Sequence, residues 1–138
     1  MPSRRNKPLF ITSIVVGAIA LALLGFYADS RYEAADLKAK VEAMTMGKVA
    51  AGQQAFGKYN CGGCHTILGT SGANGTVGPP LDGIAARGII GGRLANKPDN
   101  MMLWIQHPQQ VSPGTAMPEQ GVTAQDSRDI TAFLYTRT

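Results

Sequence analysis

Residues 9–28 form a nearly continuous apolar run, broken only by Thr12 and Ser13. As a helix, twenty residues rise about 30 Å, the thickness of a bilayer's hydrocarbon core. In a chain of 138 residues such a run leaves room for one small domain beside it and excludes a multi-domain enzyme. A cleaved signal peptide is the alternative, but its apolar core is shorter, about 7–15 residues, and ends at a small-x-small site. Phe26-Tyr27-Ala28 puts bulk where a small residue is wanted. The sequence therefore predicts an uncleaved transmembrane helix at 9–28.

Arg4, Arg5 and Lys7 lie in a basic segment at 1–8, and no acidic residue occurs before Asp29. Basic residues on the amino side predict a cytoplasmic amino terminus, with everything after Tyr27 exported. The expected location is the bacterial inner membrane, single-pass, with the rest of the chain in the periplasm or on the outer face. The formal net charge of +4 raises nucleic acid as a partner, but from Asp29 onward ten basic residues face nine acidic ones. The exported part is close to neutral and has no electrostatic footprint for nucleic acid.

From Asp29 to Met46 the chain turns charged, contains no Pro or Gly, and sets Asp36 and Lys40 four apart. That composition predicts a helical stalk over 29–46. A flexible linker is the alternative, because isolated helices of this length are marginal in water. Gly47 reads as a joint, and residues 47–138 as the exported domain.

Within that domain, Cys61-Gly62-Gly63-Cys64-His65 is a C-x-x-C-H run, the attachment signature of c-type haem. Two thiols at this spacing can each add to one vinyl group of the same haem, and the adjacent imidazole then falls beneath the iron. They are the only cysteines in the chain, so one covalent haem c would use both, which suits an oxidising compartment. A thioredoxin-like redox pair wants a βαβ pattern around it and does not need the histidine. A zinc site would have to combine Cys61, Cys64, His65 and His107, yet Cys64 and His65 are neighbours whose side chains diverge. Chance occurrence in a Gly-rich loop is the third competitor.

Residues 66–97 contain eight glycines and show little periodicity. A structureless stretch of that length would ordinarily count against a compact domain. A flat central cofactor gives such chain something to wrap. The sixth iron position has several candidates: His107, Met44, Met46, Met101, Met102 and Met117. Met117 stands in Pro113-Gly114-Thr115-Ala116-Met117-Pro118, a turn that fixes its backbone. His107 instead ends a helix that Pro108 cannot continue. His65 and Met117 are the expected iron ligands, a pairing that raises reduction potential and leaves no open position for substrate. No catalytic residue and no small-molecule substrate are expected.

Three domain helices are readable, so the fold class is all-α. The first runs from about Gly47 to Lys58 and puts Gly52 and Phe56 on one face. The second starts at Pro98, carries Met101 to Ile105 and stops at Pro108. The third opens on Thr123-Ala124-Gln125-Asp126, a capping-box variant, and continues through Ile130, Phe133 and Leu134.

The series Gly52-x-x-x-Phe56, Cys61-x-x-Cys64-His65, Gly78-Pro79-Pro80-Leu81, Pro113-Gly114-Thr115-x-Met117-Pro118 and Asp129-Ile130-x-Ala132-Phe133-Leu134 resembles a class I cytochrome c across nearly all of 47–138. The resemblance implies that Gly52 lets the last helix cross closely, with Phe56, Ile130 and Phe133 interlocking. It gives the Pro79 carbonyl the role of accepting a hydrogen bond from the ligand imidazole. It places Leu81 on the haem face and aims Arg87 at a haem propionate, although Ala86 stands where a glycine is common. The tryptophan usual before the second helix is missing; Trp104, inside that helix, is expected to line the pocket, with ordinary core packing as the alternative.

The stretch from Ile89 through Gln109 is similar to the cytochrome c domain fused to subunit II of some haem-copper oxidases. The resemblance implies a membrane-anchored electron carrier between a quinol:cytochrome c reductase and a haem-copper terminal oxidase. A fixed haem c subunit of an oxidase, a nitric oxide reductase or a quinol-oxidising complex is the alternative.

Overall fold

A computed structural model describes residues 7–138, with side chains from Ile11 onward. The basic residues Arg4 and Arg5 lie outside the described residues. The first element is a single helix, α1 (Lys7–Thr45), where the sequence divides a membrane helix from a stalk. Nothing between Asp29 and Thr45 interrupts the backbone ladder, since that stretch holds neither Pro nor Gly.

The chain separates into two compact units, residues 1–36 and 37–138. In the first, the most apolar part of α1 reaches a mean hydropathy of 2.2, and large side chains such as Leu21, Leu24 and Phe26 are exposed. Among the described residues this is the one helix long and apolar enough to cross a membrane.

The second unit starts at Leu37, ten residues before the expected boundary at 47. The reason lies in its packing: Val41 is buried in the core with Leu37 against it. Thr45 is buried, donates its hydroxyl proton to the Val41 carbonyl at 2.7 Å and accepts from the Gly47 amide at 3.2 Å. The chain then turns through Met46, whose φ is 54°, and the Lys48 amide donates to Asp129 Oδ1 at 2.6 Å.

The core of this unit is the crossing of α2 (Val49–Lys58) and α5 (Ala124–Tyr135). A Cβ on Gly52 would sit 1.9 Å from the Asp129 carbonyl oxygen, so only glycine permits this approach. Beside it the Phe56 and Phe133 rings meet with centroids 5.6 Å apart and planes tilted by 56°, and Ile130 is buried next to them. Helix α5 opens as the sequence predicts, with Thr123 Oγ1 accepting from the Asp126 amide at 3.1 Å.

Helix α3 (Pro98–Gln106) begins with its proline in the first turn and packs on α5. His107 ends it, and Pro108 starts a separate short helix, α4 (Pro108–Val111), which the sequence reading omits. The long segment at 66–97 is more ordered than its composition suggests. It contains an antiparallel pair, β1 (Ile89–Ile90) and β2 (Leu94–Ala95), and a 3-10 turn at Ile84–Ala86. Two residues per strand are too few for a period-two pattern to show.

Candidate functional site

Between the C-x-x-C-H segment, the 66–97 segment and the turn before α5 lies a cleft of about 430 Å³. Cys61, Cys64, His65, Pro79, Arg87, Trp104 and Met117 all line it. These residues span 57 positions of sequence and come from separate elements. Cys61 opens a 3-10 turn, Cys61–Gly63, that follows directly on α2. The turn closes on itself, with the His65 amide donating to the Cys61 carbonyl at 3.0 Å.

The imidazole is set by the segment facing it. The Gly75 amide donates to the Gly62 carbonyl at 2.9 Å, that of Gly78 to Cys64 at 2.8 Å and that of Leu81 to Thr66 at 2.8 Å. This ladder brings the Pro79 carbonyl within 2.8 Å of His65 Nδ1, where it accepts the ring proton and leaves Nε2 as the free lone pair. Residue 78 has to be glycine for this, because a Cβ there would lie 2.4 Å from His65 Cε1 and 2.7 Å from Nδ1.

Neither cysteine is in a disulfide. Burial pushes the Cys61 thiol up to about 11, and the neighbouring Cys64 pushes the same way. No group of three or more His, Cys, Asp or Glu able to hold a metal ion occurs among the described residues. The donor set fits a haem: two thiols, one nitrogen held by its ring partner, one thioether, and apolar walls from Ile84, Ile90 and Trp104.

Of the candidates for the sixth position, Met117 alone lines the cleft. Met101 is buried in the core, Met44 and Met46 are exposed near the end of α1, and His107 is exposed with Nδ1 3.7 Å from Glu119 Oε2. The Met117 turn carries Gly114 at φ 81°.

Trp104 lies with its ring against Gly91, whose added Cβ would meet the indole carbons at 2.6 to 2.8 Å. Two expectations fare differently. Leu81 is buried in the core and is not among the lining residues, and its amide donates to the Thr66 carbonyl. Arg87 lines the cleft, but its Nη2 donates to the carbonyls of Pro80 and Asp82, so it secures the backbone bearing Pro79.

Sequence reasoning missed Gln109, whose carboxamide bonds the backbone of the Met117 turn. The available signal was a polar residue one position after a helix-starting proline and just ahead of a Gly/Pro turn. It missed Asn96 as well. Asn96 Nδ2 donates to the Ile84 and Arg87 carbonyls at 2.8 Å, and Asn96 Oδ1 accepts from the Tyr135 hydroxyl at 2.8 Å.

The cytochrome c family pattern matches residues 49–138. The chain belongs to the cytochrome c family. Cytochrome c oxidase subunit 2 of Alkalihalophilus pseudofirmus is 32% identical over 99 residues, which is 71% of this chain and 28% of that protein. The chain thus spans under a third of the length of this curated relative. No solved structure gives a significant match. Membership in the cytochrome c family carries one covalently bound haem c with iron and a role in electron transfer.

Proposed function

We propose that this cytochrome c is a membrane-anchored, single-haem electron carrier of a respiratory chain, taking electrons from a quinol:cytochrome c reductase and passing them to a haem-copper terminal oxidase. In this reading Cys61 and Cys64 would form the two thioether links, and His65 and Met117 would ligate the iron. The observation that carries it is the convergence of these four residues on one cleft, with the His65 ring already oriented by Pro79. The haem, when bound, supplies a one-electron ferric/ferrous couple.

The chain's part is positional. Pro79 keeps the Nδ1 proton in place, which makes Nε2 the better donor. A thioether and an imidazole together would raise the potential of a bound haem and leave its iron no position for substrate. Helix α1 fits an anchor by length and hydropathy, and the basic segment before it favours export of the haem domain. Tethering on a short span raises the local concentration at neighbouring complexes to the order of millimolar.

A fixed haem subunit within an oxidase is the second reading, favoured by the likeness to an oxidase subunit 2. Mild-detergent purification from native membranes tests the two. A protein that elutes alone and is reduced by the reductase, then oxidised by the oxidase, supports the carrier. Constant stoichiometry with large integral subunits supports the second reading. A preparation from a maturation-competent host that lacks covalent haem sinks both.

A further inference from the structure

We infer that Gln109 is the positioning residue for Met117: its carboxamide holds the turn that presents the thioether to the cleft. The inference rests on the reading of Met117 as the sixth ligand. Gln109 Nε2 donates to the Thr115 carbonyl at 2.8 Å and to the Met117 carbonyl at 2.7 Å. Its Oε1 accepts from the Gly114 amide at 3.1 Å. One side chain thus uses both of its protons and one oxygen position on a four-residue stretch, which is most of its bonding capacity.

The turn has little else to hold it. The Thr115 amide donates to the Ser112 carbonyl at 3.0 Å, and the Met117 amide reaches Thr115 Oγ1 only at 3.5 Å. Gln109 is itself secured. It sits in the first turn of α4 behind the buried Pro108, and its backbone amide donates to Glu119 Oε1 at 3.2 Å, beyond Met117. Segments on both sides of the methionine are therefore pinned to the same residue.

A methionine side chain has three rotatable bonds and a neutral sulfur, so it does not find its place by charge. Its presentation depends on a fixed backbone. Both carbonyls that Gln109 holds accept from its carboxamide nitrogen. A glutamate of the same shape keeps the acceptor for Gly114 and offers nothing to Thr115 or Met117.

The test compares haem-loaded, full-length Gln109→Ala, Gln109→Glu, Met117→Ala and, as control, the exposed neighbour Gln110→Ala. The readouts are the thioether-to-ferric-iron charge-transfer band, the midpoint potential and the affinity of the ferric protein for cyanide. Losing two or three hydrogen bonds predicts that Gln109→Ala binds cyanide roughly ten- to a hundredfold more tightly, with a weakened band and a lowered potential. Gln109→Glu is expected to open the turn at least as far as alanine, whereas a space-filling role would leave it like the parent. Gln110→Ala stays at the parent values.

If Gln109→Ala or Gln109→Glu keeps the parent's band and cyanide affinity while Met117→Ala loses the band, the positioning role fails and the ligand reading stands. If Met117→Ala keeps the band, the ligand reading fails and takes this inference with it. Should Gln109→Ala give no holoprotein, the isosteric Gln109→Glu decides alone.

Discussion

The two sides of the cleft are built on different principles. On the His65 side the chain closes by backbone contact: an amide ladder from Gly62 to Leu81, and a glycine at 78 with no space for even a methyl group. On the Met117 side a single side chain, Gln109, reaches across to hold a turn between two prolines. One side is fixed by steric exclusion and the other by a few polar bonds. A site built this way should lose its methionine long before it loses its histidine.

Gly78→Ala attacks the steric side and should have the largest effect on stability. The methyl group must push the ring off Pro79, costing about 3 kcal/mol when overpacking and the lost hydrogen bond are combined. Denaturant unfolding of the haem-loaded protein measures it, and a loss below about 1 kcal/mol would mean that this side yields as easily as the other. Met117→Ala should change the fold much less, lower the reduction potential and admit added ligands to the iron. Redox titration checks the first and cyanide binding the second; an unchanged potential reassigns the sixth ligand.

A smaller effect sharpens the comparison at a point where the His65 side uses charge. Tyr59, two residues before Cys61, donates its hydroxyl to Asp126 Oδ2 at 2.6 Å, and Lys58 donates to the same oxygen at 2.8 Å. The bonds from Lys58 and Tyr59 lower the Asp126 carboxyl below its usual value of 3.8. A depressed carboxyl stabilises the fold above its unfolded value and loses that contribution as pH falls through the folded one. Asp126→Asn should therefore remove a modest part of the acid dependence of unfolding below about pH 4, with Met117 ligation unchanged at neutral pH.

The smallest expected change concerns Tyr135, which burial pushes up to about 12 from 10.0. A raised value means that the folded state keeps its proton longer, so stability is full below pH 10 and declines as pH climbs towards 12. Ultraviolet titration of the phenols in the folded protein should show one that ionises last, and Tyr135→Phe should remove that final step.

Much of this was legible in the residues themselves. The C-x-x-C-H run and the Thr123 cap depend on residue type at a fixed spacing, which sequence displays directly, while the Gly78-Pro79 pair and the Gly52 to Phe133 interlock were legible through the resemblance to class I cytochromes c. The details that escaped depend on where one particular side chain ends up. Only its place directly after Pro108 separates Gln109 from Gln110 in the sequence, and that place gains meaning once α4 sets one against the Met117 turn and leaves the other exposed. Leu81 and Arg87 follow the same rule. Both sit at the expected chain positions, yet Leu81 is buried in the core, and carbonyls at Pro80 and Asp82 accept from the Arg87 guanidinium. The family match begins at residue 49, close to the expected joint at 47, while the compact unit reaches back to Leu37 because Leu37 and Val41 on the end of α1 pack into the same core.

Trp104 is the only tryptophan in the chain, and its ring lies against Gly91 in the wall of the cleft. The protein therefore carries its own optical gauge: indole emission, bright in unloaded chain, is extinguished by energy transfer once a tetrapyrrole fills the neighbouring space. Maturation can be followed in real time by that dimming, with no label added.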